Sequence, residues 1–186
     1  MKKKLLIIVG VVLTLGFLGY TAMAGGETTN KIDLSWSLSD EKVKTIQLIG
    51  AEQDVDVIVA EAQEADTKVT LTGKVSDKTK KYLENTVAKE DGVEITLSQL
   101  GKVRFMANSD GKNKLKLTIM VGKNTSFDEL KIKNVIGNIN VKVPQTFDGV
   151  YKTDSNQGEV LEIPKTTQSM NSTVVVETIG DIAISK

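Results

Sequence analysis

Between residues 127 and 184 one short pattern returns three times, and it narrows the folds open to the chain more than any other feature. The first copy runs Phe127-Asp128-Glu129-Leu130-Lys131-Ile132 through Ile136-Gly137-Asn138-Ile139-Asn140-Val141-Lys142-Val143-Pro144. The second runs from Phe147-Asp148-Gly149-Val150 to Gly158-Glu159-Val160-Leu161-Glu162-Ile163-Pro164, and the third from Val174 through Ile179-Gly180-Asp181-Ile182-Ala183-Ile184. Gly137, Gly158 and Gly180 stand 21 and 22 residues apart, and the Phe-Asp pair and the proline each recur after 20. The third copy has no Phe-Asp. A strand–Gly–strand unit at this period predicts a β-solenoid or a stack of hairpins. A leucine-rich repeat fails, because Lys152 breaks the apolar offsets it needs. In one surviving geometry each Gly pair is a two-residue turn at φ > 0 joining antiparallel strands. In the other each Gly is a corner of a coil whose turns stack in parallel. Both satisfy the spacing.

Upstream the same alternation predicts further half-buried strands. Ile46 and Leu48 lead to Gly50; Val55, Val57 and Val59 follow, then Val69 and Leu71. Val93, Ile95 and Leu97 come next, then Val103 and Phe105, then Leu115, Leu117, Ile119 and Val121. Asp91-Gly92, Asn108-Ser109-Asp110-Gly111 and Gly122-Lys123-Asn124 are turn sequences between them. One short surface helix is predicted over 77–89, with Ser76 as N-cap and Leu83 and Val87 on one face. The fold class expected is therefore all-β, with a short β-solenoid in the C-terminal part; the alternative is an antiparallel β-sandwich of hairpins. If the third copy is the last coil, Ile182 and Ile184 lie at a sheet edge that is either free or covered by a neighbour.

Aromatic residues make up 4% of the chain, so the core has to come from Val, Ile and Leu, which suit a pleated sheet. Cysteine and histidine are absent. That removes disulfides, thiol catalysis, Cys-type zinc sites, the commonest general base and the commonest transition-metal ligand. Setting aside Lys2, Lys3 and Lys4 leaves 21 basic against 24 acidic residues, and Arg104 is the single arginine. A sequence-independent nucleic-acid binder needs the opposite balance.

The first residues supply the clearest address. Three lysines precede an uncharged run from Leu5 to Gly26, and Ala22-Met23-Ala24 gives the small–x–small pattern of a signal-peptidase site. The run is also long enough to cross a bilayer once as a hydrophobic helix. Residues 1–24 are therefore read as a signal peptide or an N-terminal membrane anchor, 25–30 as a polar linker and 31–186 as an exported all-β domain. Either way the lysines stay inside and the domain goes out.

Three segments of the chain resemble a known family. Ile46-Gln47-Leu48-Ile49-Gly50 followed by Asp54-Val55-Asp56-Val57, then Ile136-Gly137-Asn138-Ile139, and then Ile179-Gly180-Asp181-Ile182 look like the putative-adhesin family of unknown function. That family occurs in Gram-positive envelope proteins of the LiaG type, and the resemblance covers roughly residues 43–184. It implies a β-solenoid-like domain outside the membrane, often tethered by one N-terminal helix, with no known catalytic residues. It also implies an association with the envelope stress response. The helix at 77–89 departs from the family pattern.

Few residues offer chemistry of their own. Ser39-Asp40-Glu41-Lys42 matches Ser-x-x-Lys, but the Ser-Asp-Asn and Lys-Thr-Gly elements that acyl-transferases add are missing, which leaves a polar turn. Glu52, Asp54 and Asp56 would share one strand face, where carboxylates could hold Ca²⁺ or simply stay solvated. Asp154 through Glu159 resembles a calcium loop, yet its twelfth position is Lys165 where a bidentate Glu belongs. Trp36 is the one large aromatic suited to stacking a sugar beside a carboxylate pair. Lys114 and Lys116, Lys131 and Lys133, and Lys142 could meet anionic envelope polymers or lipid headgroups, or could protect sheet faces from aggregation. No catalytic, cofactor-binding or metal residue is assigned. The expectation is a non-catalytic exported envelope module, partnered by an envelope polymer or a membrane protein and not by nucleic acid. A cell-wall carbohydrate-active enzyme and a literal surface adhesin are the alternatives.

Overall fold

The computed structural model describes residues 29–98 and 113–186. Among them the chain is mostly β-sheet with one short helix. The strands are β1 (Thr29–Leu38), β2 (Lys42–Ala51), β3 (Val55–Glu61), β4 (Thr67–Ser76), β5 (Val87–Lys89), β6 (Gly92–Thr96), β7 (Leu115–Val121) and β8 (Ser126–Asn134). They continue with β9 (Ile139–Lys142), β10 (Val150–Asn156), β11 (Val160–Glu162), β12 (Thr173–Ile179) and β13 (Ile182–Ser185), while α1 (Asp77–Leu83) follows β4. The leader at 1–24, the strand expected around Val103 and Phe105, and the turn at 108–111 lie outside the described residues. Residues 29 and 30, expected in the polar linker, belong to β1. Thr29 and Asn30 already pair with Ser76 and Val75 in the β1–β4 ladder.

The strands form two sheets. One has seven strands in the order β1-β4-β7-β3-β9-β13-β11, the other six in the order β10-β12-β8-β2-β6-β5. Among the described residues antiparallel pairing is confined to β1–β4, β4–β7 and β5–β6. Every pair from β8 onward is parallel. The three repeat glycines therefore do not close hairpins: each carries the chain from a strand of the six-stranded sheet to one of the seven-stranded sheet.

Alternation within each strand and parallel register between strands turn isolated apolar positions into continuous rows. Val93, Ile46, Leu130 and Val174 form one row, and Ile95, Leu48, Ile132 and Val176 the next. The opposite sheet contributes Leu115, Val55, Ile139 and Ile182, and a second row of Leu71, Leu117, Val57, Val141 and Ile184. All of these are buried in one core.

The spatial order of the coils differs from their order in sequence. The third copy, β12 and β13, lies between the first, β8 and β9, and the second, β10 and β11. Ile182 and Ile184 are fully buried: of the two alternatives for their edge, a covering neighbour is the one found, β11, and the outermost strands at this end are β10 and β11. The opposite end is closed. There β1 and β5 are the outermost strands, and α1 packs on β1 and β4 of one sheet and β6 of the other. Ser76 caps α1 as expected, accepting a hydrogen bond from the Thr79 N–H at 3.2 Å, and Leu83 is buried. The helix stops at Leu83. Val87, expected on its apolar face, begins β5 and is 59% exposed, because the β-branched pair Thr86-Val87 and the turn at Glu90-Asp91 favour a short hairpin with β6.

Candidate functional site

The densest polar arrangement lies where the repeat glycines turn the corner. Asp54 Oδ1 accepts from the Asn138 N–H at 2.9 Å, Asn138 Oδ1 from the Asp181 N–H at 2.9 Å, and Asp181 Oδ1 from the Glu159 N–H at 3.0 Å. A second ladder runs beside it. Ser155 Oγ donates to the Gly180 carbonyl, Thr178 Oγ1 to that of Gly137, Asn134 Nδ2 to that of Gln53 and Ser98 Oγ to that of Gly50. Corners that would otherwise leave backbone groups unpaired between coils are thus satisfied by the neighbouring coil. Sequence reasoning did not single out this ladder, although its signal is visible as an Asn or Asp directly after Gly137 and Gly180. Glu159 stands at that position in the second copy, which is the end coil.

Corner packing also explains the glycines. Gly137 and Gly180 have φ of 118° and 148°, conformations side chains rarely adopt. Gly158 lacks the expected positive φ, because Gln157 (φ 62°) takes the left-handed place. It is glycine for another reason: a Cβ there would stand 2.1 Å from the Gly180 carbonyl oxygen.

The acidic residues considered for calcium are distributed differently from the expectation. Glu52 and Asp54 sit in the β2–β3 corner and only Asp56 is on a strand, so the three do not share a strand face. Asp54 serves the corner ladder, while Asp56 Oδ1 accepts from Asn140 Nδ2 at 3.0 Å and lies 3.9 Å from Lys114 Nζ. Asp154 is on β10, with Gly158 and Glu159 in the corner beyond. Among the described residues no group of three His, Cys, Asp or Glu side chains could hold a metal ion.

Ser39 and Lys42 are not brought together for chemistry. Lys42 begins β2 and its Nζ lies 3.1 Å from Asp128. Trp36 is 7% exposed inside the core, paired with Val69, so it is not available to stack a sugar. The lysine rows fall on opposite outer faces. Lys131 and Lys133 lie on the six-stranded sheet and both reach Glu177, at 4.0 and 2.6 Å, while Lys116 and Lys142 are exposed on the seven-stranded sheet. Positive charge is thereby interleaved with acid and not concentrated.

Asp148 makes the strongest single polar clamp. Its carboxylate accepts from the Thr167 N–H at 2.6 Å, from the Thr167 hydroxyl, and from the Ser169 N–H and hydroxyl at 3.1 and 2.6 Å. These donors, Ser169 first and then Thr167, hold its pKa well below the usual carboxylate value of 3.8. The stabilising contribution of a depressed carboxylate is complete above its unfolded value and is lost as the pH falls through its folded value. We therefore expect a carboxyl-carbon NMR titration of Asp148 to have its midpoint well below 3.8. In Asp148→Ala, amide exchange across 165–171 should accelerate at neutral pH. An ordinary midpoint with unchanged exchange would remove the clamp.

Next to Asp148 an aromatic group links the copies. Phe127 and Phe147 stack with centroids 5.9 Å apart and planes within 10°, and Tyr151 lies 5.6 Å from Phe147. Burial, followed by the charge of Asp148, raises the Tyr151 pKa.

No family model and no curated protein sequence matches the chain. Solved structures with distant similarity include three adhesin-type proteins by name. A putative cell adhesion protein from Clostridium sporogenes is 12% identical with a TM-score of 0.37, over 84% of this chain and 99% of that one. A putative adhesin from Bacteroides fragilis is 11% identical with a TM-score of 0.27, over 83% and 98%. A putative adhesin from Parabacteroides distasonis is 14% identical with a TM-score of 0.30, over 83% and 66%.

Proposed function

We propose that the protein is a non-catalytic module of the cell envelope: a short β-solenoid on the outer side of the cytoplasmic membrane, delivered there by residues 1–24. In this reading residues 31–186 act as one structural, sensing or interaction unit of the LiaG type, with a link to envelope stress. The observation that carries the reading is where the polar side chains go. Asp54, Asn138, Asp181, Asp148 and Glu177 are engaged by corners, a loop and lysines of the coil itself, instead of converging on one cleft. An enzyme of polysaccharides needs two carboxyl groups facing each other across a substrate path. The closed end also suits a tether, because β1 starts there, close after the leader. Seven strands at about 4.8 Å spacing then hold the other end roughly 29 Å further out.

A reporter enzyme that works only outside the membrane, fused after Lys186, is expected to be active. The mass of the mature N-terminus then separates a cleaved signal, starting at Gly25, from an intact anchor. An intact but inactive fusion would overturn the proposal.

A further inference from the structure

The end formed by β10 and β11 is unfinished in three ways. Among the described residues each of these strands is paired on one side only, β10 with β12 and β11 with β13. The core row of Leu115, Val55, Ile139 and Ile182 continues into Val160. The first four are at most 1% exposed, but Val160 is 42% exposed because no further strand covers it. Leu161 in β11, and Ile163 and Met170 in the segment that follows it, are exposed as well. The Tyr151 hydroxyl, at the same end, is buried without a hydrogen-bond partner.

We propose that this end is an interface between two copies of the chain, joined end to end about a twofold axis so that β10 pairs antiparallel with β10 of the partner. Charge selects the register. Lys152 and Asp154 are exposed on the outer face of β10, two residues apart. An axis through Thr153 sets Lys152 opposite Asp154 of the partner subunit, and the symmetry repeats that contact, so the strand is complementary to itself. A single foreign strand fits less well. β11 has only three residues and an irregular register, so one extended peptide would gain little along it. A second copy of the end covers both sheet edges and the apolar row between them together. With 21 basic and 24 acidic residues outside the three leader lysines, the domain is close to neutral, which places little long-range repulsion against self-association. The two closed ends then point away from each other, at opposite ends of a doubled stack.

The absence of cysteine makes the test specific. In the full chain, purified in detergent, Thr153→Cys places two sulfurs at the axis, where directly opposed residues have Cα atoms about 4.5–5.5 Å apart, within disulfide reach. Mild oxidation should convert it to a covalent dimer, while Val87→Cys at the closed end stays monomeric. Light scattering should give a dimer for the parent chain. Lys152→Asp should weaken the dimer about tenfold or more, and Lys152→Asp combined with Asp154→Lys should restore it, which a merely misfolded variant would not do. The proposal is overturned if the parent is monomeric, if Thr153→Cys cross-links no faster than Val87→Cys, or if the dimer is indifferent to Lys152→Asp.

Discussion

Removing residues 173–186 is expected to unfold the C-terminal third of the protein. Read along the sequence, this segment is the last coil, and losing it would shorten the stack by one unit. In space it is the coil between β8–β9 and β10–β11, so its removal leaves β10 and β11 with no strand to pair with. Val174, Val176, Ile182 and Ile184 are each fully buried, and at about 1.5–3 kcal/mol apiece they account for roughly 6–12 kcal/mol of burial. That is comparable with the whole stability of an ordinary domain, about 5–15 kcal/mol. The truncated chain should lose most of its cooperative urea transition and become sensitive to protease through 126–164. A truncated chain that melts like the parent would show that the second copy can take the place of the third.

Gly180→Ala should have the next largest effect. The residue has φ of 148°, in a region almost restricted to glycine, and a Cβ would lie 2.6 Å from the Gly137 carbonyl oxygen. Both atoms belong to corners fixed by hydrogen bonds on either side: the Gly137 N–H donates to Ile179, and the Thr178 hydroxyl to Gly137. The two closest atoms are both backbone atoms of Gly137, so no side-chain movement relieves them. Backbone strain and displacement together should cost about 3–5 kcal/mol. The unfolding midpoint by circular dichroism checks this, and a midpoint unchanged from the parent would mean that the corner relaxes freely.

Much of the architecture was legible in the residues because it is local. Alternation of Val, Ile and Leu with polar residues fixed which positions face inward, since the side-chain period of a strand is two. Ser76 announced the start of a helix because its hydroxyl can accept from an N–H three residues on. The helix end was less legible, because Leu83 and Val87 have helical spacing while Thr86 and Val87 prefer a strand, and pairing with β6 decided between them. The burial of Trp36 was legible by the rule of alternation: Ile32, Leu34, Trp36 and Leu38 alternate with polar or charged residues, and all four are buried along β1. Of the candidate site, the recurring Gly-Asn and Gly-Asp pairs carried the corner ladder, but hydrogen bonds between residues 43 or 84 positions apart cannot be read from either segment alone.

The sequence by itself determined that the chain would be built of short strands, turned at Gly137, Gly158 and Gly180, around an aliphatic core without cysteines. Those properties depend on neighbours within a few residues. Only the tertiary structure decided that these turns join different sheets and that the third copy lies between the first two. Their apolar rows are nearly equivalent, so local pattern leaves the stacking order open. Contacts that need the third copy in the middle go with it: Gly158 against the Gly180 carbonyl, and Asp181 bridging from Asn138 to Glu159.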